Sequence, residues 1–273
     1  MKMKNIKVLH VLNELKYSGA EIMYVAAAPY FQKLNCSLLV MATATNVGEY
    51  ASQFQNAGYK VTHKPYPNRL NIIARLFYYI QLVKFIKNEN VDVVHIHSSK
   101  AMWGFSLCAW IAKISSVYTF HNVFPTNWYS NFFHVFLRFT AKHIFNCKFQ
   151  TISDSVYNNE LIRFKNKTTK IYNWYNKDKF YPAKAGEKMN FRNELGLKND
   201  DFVIISIGGC SHIKRHDEII KALATLKPTI SNLIYLHLGT GEIIDNEITL
   251  SKELGVYDNI RFIGNTNEVR KYL

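Results

Sequence analysis

The stretch IKVLHVLNELKYSGAEIMYVAAAPYF, Ile6–Phe31, decides the class of fold. Ile6–Leu12 is an apolar run broken only by Lys7 and His10, and it reads as a buried strand. From Ala20 onward the residues read as a helix. The turn between them holds Ser18, Gly19 and Glu21. A small-residue turn that feeds a helix start is a place where backbone N–H groups meet an anion or a sugar hydroxyl. It carries one glycine and no GxGxxG, so a dinucleotide fingerprint is absent and a dehydrogenase is disfavoured.

The same strand–turn–helix alternation recurs along the chain. CSLLVMA, GYKVTH, VDVVHIH, SVYTFH, KFQTIS and TKIYN read as further strands. Between two of them, Ile72, Ile73, Leu76, Phe77, Ile80, Val83 and Ile86 share one face of a helix over 72–87. Buried Val/Ile-rich strands separated by helices predict a parallel sheet with right-handed crossovers. Around Asn173 the pattern gives way to NWYNKDKFYPAKAGEK, polar and punctuated by Pro182 and Gly186. A second series then starts with FVIISIGG and contains three strands before Leu273. The expectation is α/β with two Rossmann-like domains, the second incomplete: 1–172, a linker over 173–200, and 201–273.

At 273 residues, 48% apolar and 14% aromatic, the chain can bury a substantial core. Its net charge is +14, with 18 basic and 7 acidic residues in 1–165 against 16 and 13 in 166–273. The first part therefore faces something anionic, such as a membrane leaflet, a lipid diphosphate or a nucleic acid, or a like-charged surface is tolerated there. Cys36, Cys108, Cys147 and Cys210 are far apart with no CxxC, which predicts neither a zinc cluster nor a disulfide framework and suits reducing cytosol. The start MKMKNIKVLHVLNEL lacks a signal-like apolar core, and the longest nearly apolar run, Ala101–Ala112, is too short to span a bilayer.

Ligands of open parallel sheets bind beyond the carboxyl ends of the strands. His121 stands at such an end, with Asn122 beside it, and can hydrogen-bond a substrate hydroxyl or exchange a proton. His95 and His97 are expected on opposite faces, one of them packed. Neither has metal-ligand spacing, and no metal is expected. In SIGGCSHIKRHDEIIKAL, Ser206–Leu223, the glycines Gly208 and Gly209 let backbone approach closely, and Lys214 and Arg215 put cations near a helix start. A phosphate or diphosphate fits there. In Trp128–Phe145, His134, Arg138 and Lys142 recur at i, i+4 and i+8 among phenylalanines. That stripe suits a bilayer interface through Arg138 and Lys142, or a core helix with one wet face.

The ordered series of turns resembles the family 4 nucleotide-sugar glycosyltransferases of the GT-B fold. KVLHVLNELKYSGAE is similar to that family's first strand and GGAE turn, with Ser18 in place of the first glycine. IYNWYNKDKFYP resembles a degenerate NGVDxxxFxP motif with Trp174 for the glycine, and ISIGGCSHIKRHDEIIKAL and LHLGTGE resemble the donor-domain turns. The resemblance implies transfer of a sugar from a nucleotide-sugar, with retention, no metal and no bound cofactor, in cell-surface polysaccharide synthesis. It implies Lys214 on the donor diphosphate with Gly208, Gly209 and Arg215, and His121 at the transferred sugar. Ser18, Gly19 and Glu21 would line an acceptor or phosphate turn. The acceptor would be a polyprenyl-diphosphate-linked or other saccharide, reached from the cytoplasmic, inner face of an anionic membrane.

Two departures stand out. Gly209 occupies the place of an arginine that is a second phosphate ligand in the family. No E-x7-E carboxylate motif occurs before Leu273, so the resemblance implies a C-terminally truncated member, which leaves an inactive remnant or binding module as one alternative. An epimerase on the same architecture is another. Nucleic acid is not expected as a partner, since charge alone suggests it.

Overall fold

The computed structural model describes residues 4–68, 71–123 and 128–273, with backbone only for 128–130; Met1–Met3, part of the N-terminal stretch discussed above, lie outside the described residues. The chain divides into two compact units, Met1–Tyr175 and Asn176–Leu273.

The first unit follows the alternation in the sequence. β1 (Ile6–Leu12) leads into α1 (Gly19–Lys33), β2 (Cys36–Ala42), α2 (Ala51–Asn56), β3 (Lys60–His63) and α3 (Ile72–Asn88). β4 (Val93–Ile96), α4 (Met102–Ala112), β5 (Ser115–Phe120), α5 (Trp128–Phe139), β6 (Lys148–Thr151), α6 (Asp154–Phe164) and β7 (Thr169–Lys170) complete it. One π-type turn, Thr140–Ile144, extends α5. The sheet order is β3-β2-β1-β4-β5-β6-β7, every pair parallel. Strand order reverses between β1 and β4, the switch point at which ligands of such sheets collect. Both faces are covered, as parallel sheets require. Leu9, Val11, Val94 and Ile96 pack under α3 and α4, while Val8, Leu12 and Val40 pack under α1.

The face of α3 counted from the sequence is only partly buried. Ile72, Ile73, Leu76, Phe77 and Ile80 are exposed, while Ile86 is buried and Val83 packs on the core. Tyr78 and Leu82, at i and i+4 with Ile86 at i+8, complete the buried face, so α3 is apolar on more than one face and periodicity alone placed the N-terminal part of it on the wrong side. Phe132, Phe133, Phe136 and Phe139 of α5 are exposed as well.

The segment expected as a linker is split between the units. Trp174 donates its indole N–H to the Met23 carbonyl (3.0 Å) and packs edge-on against Tyr24 of α1. Asn176 onward belongs to the second unit, where α7 (Glu187–Glu194) is tied to the chain end by Arg270 donating to Glu187 (2.8 Å). β8 (Phe202–Ile207), α8 (His216–Leu226), β9 (Leu233–Leu238), α9 (Ile244–Glu253) and β10 (Ile260–Gly264) follow, in a parallel sheet of order β10-β9-β8. No helix among the described residues is long and apolar enough to cross a membrane. All four cysteines are free.

Candidate functional site

In the first unit, the β1–β4 register sets His10 beside His95, and His97 and His121 continue the row at the carboxyl ends of β4 and β5. His97 Nδ1 lies 3.0 Å from His121 Nε2, and His97 Nε2 lies 3.3 Å from His10 Nδ1. His95 Nε2 pairs with the Thr119 hydroxyl at 2.8 Å. The expectation that His95 and His97 face opposite ways is corrected here. Residues two apart on a strand share a face, and the two rings sit 4.2 Å apart beside Tyr24.

Burial holds these imidazoles neutral. It lowers His121 to about 4 and His10 to about 3. His95 and His97 are pushed well below the ordinary value by burial and by the neighbouring imidazoles. His10 Nε2 is buried with no hydrogen-bond partner. A neutral histidine carries one donor and one acceptor, so the His97–His121 contact couples the tautomers of the two rings.

His121 lines the lip of a cavity of about 1350 Å³ over the strand ends. Asn13, Thr43 and Ser98 edge it with polar groups, while Leu76, Phe133 and Phe136 give it apolar walls from α3 and α5. Arg75 lines the same cavity. Its guanidinium donates to the hydroxyls of Tyr66 (2.9 Å) and Tyr79 (3.1 Å), and its Nε is buried without a partner among the described residues. Sequence reasoning passed over Arg75, because a single arginine within an apolar helix carries no motif.

Arg138 does not form a membrane-facing stripe. Its Nε and Nη2 donate to the two carboxylate oxygens of Glu160 at 2.8 and 2.9 Å, and its guanidinium lies 3.8 Å from the Phe164 ring centre. Both side chains are largely buried, because Asn166 and the aromatic rings enclose the pair. Lys142 donates to the side chain of Asn166 (3.3 Å) and to the Lys167 carbonyl (2.5 Å). Helical spacing was met, but α6 packs across that face.

The turn after β1 is built as follows. Ser18 precedes α1 in extended conformation, and its hydroxyl donates to Glu21. Glu21 is buried, and burial raises its carboxyl pKa against the opposing pull of that hydrogen bond. Gly19 faces open space, with nothing near the position of an added Cβ.

In the second unit, the turns after β8 and β9 interlock. Gly208 N–H donates to Leu238 O (2.9 Å) and Cys210 N–H to Thr240 O (3.1 Å). Gly239 has φ of +130°, and a Cβ there would overlap the Gly208 carbonyl, so glycine is required. Lys214 lies over Gly208, its Cε 3.3 Å and Nζ 3.8 Å from where a Gly208 Cβ would stand. Arg215 points elsewhere: at φ 54° it caps α8, and its guanidinium pairs with Glu218 (3.0 Å) and Asp217 (3.7 Å) of its own helix.

A buried-site fold of parallel α/β units with strand-end turns defines the class, and sequence comparison gives the family. Residues 17–176 match Glycosyltransferase Family 4, and residues 187–273 match Glycosyl transferases group 1. The chain belongs to the family 4, group 1 glycosyltransferases. The alpha-monoglucosyldiacylglycerol synthase of Acholeplasma laidlawii is 24% identical over 202 residues, 67% of this chain and 51% of that protein. The chain thus spans about half the length of that relative. Among solved structures, a glycosyltransferase from Rickettsia africae ESF-5 matches with a TM-score of 0.76 at 18% identity, covering 99% of this chain and 71% of that one. Anabaena Alr3699/HepE in complex with UDP-glucose matches at 0.75 and 20%, covering 98% and 71%. These likenesses establish the GT-B fold class.

Proposed function

We propose that this protein transfers a sugar, with retention, from a nucleoside-diphosphate sugar to a lipid-linked saccharide or lipid acceptor at a membrane surface. The observation that carries it is the cavity of the first unit, which joins a neutral histidine at a strand carboxyl end to apolar walls. A sugar hydroxyl meets His121, Asn13 and Ser98, while an apolar tail finds Leu76, Phe133 and Phe136. Arg75, with no carboxylate partner among the described residues, suits the acceptor's phosphate. The exposed apolar side chains of α3 and α5 face the bilayer, in place of the Arg138 stripe. Ser18 and Gly19 border the acceptor side. The UDP-glucose complex of HepE and the diacylglycerol-linked product in the name of the Acholeplasma relative support both halves of this reading.

The donor diphosphate binds in the second unit at Gly208, Gly209 and Lys214, where backbone amides at the start of α8 add positive potential. No metal or bound cofactor takes part in this step. The chain works at the inner face of the cell membrane, in the cytoplasm.

The test is transfer from radiolabelled UDP-glucose, UDP-galactose, UDP-N-acetylglucosamine and GDP-mannose to an extract of bacterial lipids. Label moving into the organic phase, and lost in His121→Ala, supports the proposal. Binding of nucleotide with no transfer to any lipid would instead favour a binding module.

A further inference from the structure

We propose that the second unit holds a structural zinc ion on Cys210, His216, His237 and Glu247. Its ligand Cys210 belongs to the Gly208–Arg215 turn, but the site takes no part in the transfer chemistry and does not rest on the reading above.

The four residues come from four places: the turn after β8, the first residue of α8, the end of β9, and the first turn of α9. None is more than 3% exposed. One ligand atom from each lies within 4.8 Å of all the others. His237 Nε2 stands 3.0 Å from Glu247 Oε2, 3.1 Å from His216 Nδ1 and 3.7 Å from Cys210 Sγ, and His216 Nδ1 stands 3.2 Å from Glu247 Oε1. Zinc bonds of about 2.0–2.3 Å give a tetrahedron with edges of roughly 3.3–3.8 Å. The four separations given above lie within a few tenths of an ångström of that figure, and the remaining pairs, bounded at 4.8 Å, close by up to about 1 Å when an ion draws the four atoms together.

With Glu247 ionised, hydrogen bonding alone does not satisfy this arrangement. Each ring nitrogen carries at most one proton. If both donate to Glu247, two N–H groups confront each other at 3.1 Å. If one ring donates to the other, a carboxylate oxygen is left against a bare nitrogen lone pair. Either way one buried contact is repulsive, which is costly in a low-dielectric interior. A cation accepts a lone pair from all four atoms at once.

The charge also balances. Zinc binding takes the proton from the Cys210 thiol and releases it to solvent. The thiolate and the Glu247 carboxylate then neutralise the dication, so no net charge is buried. A thiolate, two imidazoles and one carboxylate are a zinc donor set, and four protein ligands close the coordination sphere, as in structural sites. The ion would tie the Gly208–Arg215 turn to β9 and α9. This gives a small three-stranded unit a staple that its core of Ile220, Leu223, Leu233 and Tyr235 supplements.

The test uses the whole chain, stripped with a chelator, then given one equivalent of Zn²⁺ or Co²⁺. We expect one ion retained per chain after desalting and a rise of more than about 5 °C in the melting temperature of the second unit. With Co²⁺ we expect tetrahedral visible absorption and a thiolate-to-cobalt charge-transfer band. That band should vanish in Cys210→Ser and persist in Cys36→Ser. Zn²⁺ affinity in Cys210→Ser and Glu247→Gln should fall by more than the roughly 10–100-fold typical of an outer-shell partner. Should Cys210→Ser fail to fold, the wild-type cobalt spectrum and Glu247→Gln decide alone. No retained ion and an unchanged melting curve would overturn the proposal, leaving a buried hydrogen-bond cluster. So would a thiolate band that survives Cys210→Ser.

Discussion

His97 Nδ1 lies 3.0 Å from His121 Nε2, so the histidine at the cavity lip is oriented by a histidine behind it. With both rings held neutral by burial, one nitrogen of the pair donates and the other accepts. His97 is therefore a positioning residue for His121. Replacing it with Leu keeps the site dry but frees the His121 ring. We expect turnover to fall by about tenfold or more, since small misplacements at a reacting centre are costly. UDP affinity, which the proposed reading places in the second unit, should not change. Steady-state kinetics with isothermal titration of UDP reads both, and equal losses in both would show that His97→Leu acts through folding.

The same row sets an acid limit on the first unit. His10 and His121 are depressed to about 3 and about 4 in the folded protein, against about 6.5 unfolded. A depressed histidine stabilises the fold fully above the unfolded value, and loses that contribution as pH falls from about 6.5 toward the folded value. Each such group removes about 1.4 kcal/mol per pH unit in this window. Denaturant unfolding between pH 7.5 and 4.5 should show the first unit weakening steeply below 6.5. His10→Phe, which also removes the orphaned Nε2, should flatten the slope. An unchanged slope would mean that protonation is accommodated by opening of the cavity.

Arg138 and Glu160 form a buried, two-pronged ion pair closed by Asn166. Breaking it with Glu160→Gln leaves a guanidinium buried without its charge partner. We expect a loss of about 3–5 kcal/mol in stability, read from urea unfolding, and recovery of most of it in Arg138→Met with Glu160→Leu. Arg138→Met with Glu160→Leu should bind anionic vesicles like the wild type. Reduced vesicle binding by this folded variant would restore Arg138 to the membrane face.

Much of the fold was legible because it rests on local pattern. Val/Ile-rich runs bounded by turn residues marked ten strand positions, and the break near Asn173 fell within two residues of the unit boundary. What was not legible depends on packing between distant segments. Helical spacing put Arg138 and Lys142 on one stripe but could not show that Glu160, 22 residues on, would claim the arginine. Nor could it choose between two apolar faces of α3. The Cys210, His216, His237 and Glu247 cluster has no spacing signature, since only the fold brings its four segments together. Lys214 and Arg215 are adjacent in sequence, and nothing in that adjacency tells which one turns toward the glycines.

Ile72, Phe77, Phe132 and Phe136 are exposed over most of their area and form the apolar surface proposed to meet the bilayer. Changing Ile72, Phe77 and Phe132 to Ser should reduce sedimentation with anionic vesicles severalfold. Because these groups are solvent-exposed, stability should move little, within about 0.5 kcal/mol for each substitution. Binding by the wild type should weaken as salt rises, reflecting the +14 charge, but should retain a salt-resistant part from the apolar side chains. Complete release by salt would assign the contact to charge alone.

The last prediction separates the two neighbouring cations at the glycine turn. Lys214 lies over Gly208 and has no carboxylate within ion-pair distance among the described residues. Arg215 is committed to Glu218 and Asp217 of α8, and its backbone occupies the left-handed region. An anion above the glycines can therefore recruit Lys214 without breaking an existing pair, whereas recruiting Arg215 costs one. Lys214→Ala should weaken UDP binding by about 1.5–3 kcal/mol, the worth of a charge-assisted contact to phosphate. Arg215→Ala should change it by less than about 0.5 kcal/mol, close to the yield of an exposed charge. Arg215→Gly additionally removes the left-handed strain of a side-chain-bearing residue, so it should hold or raise the stability of the second unit while UDP binding stays the same. Titration calorimetry of the three variants with UDP, beside their melting temperatures, gives the comparison. A larger loss in Arg215→Ala than in Lys214→Ala would mean that the arginine leaves its helix to take the phosphate, and the assignment of the two residues would then be reversed.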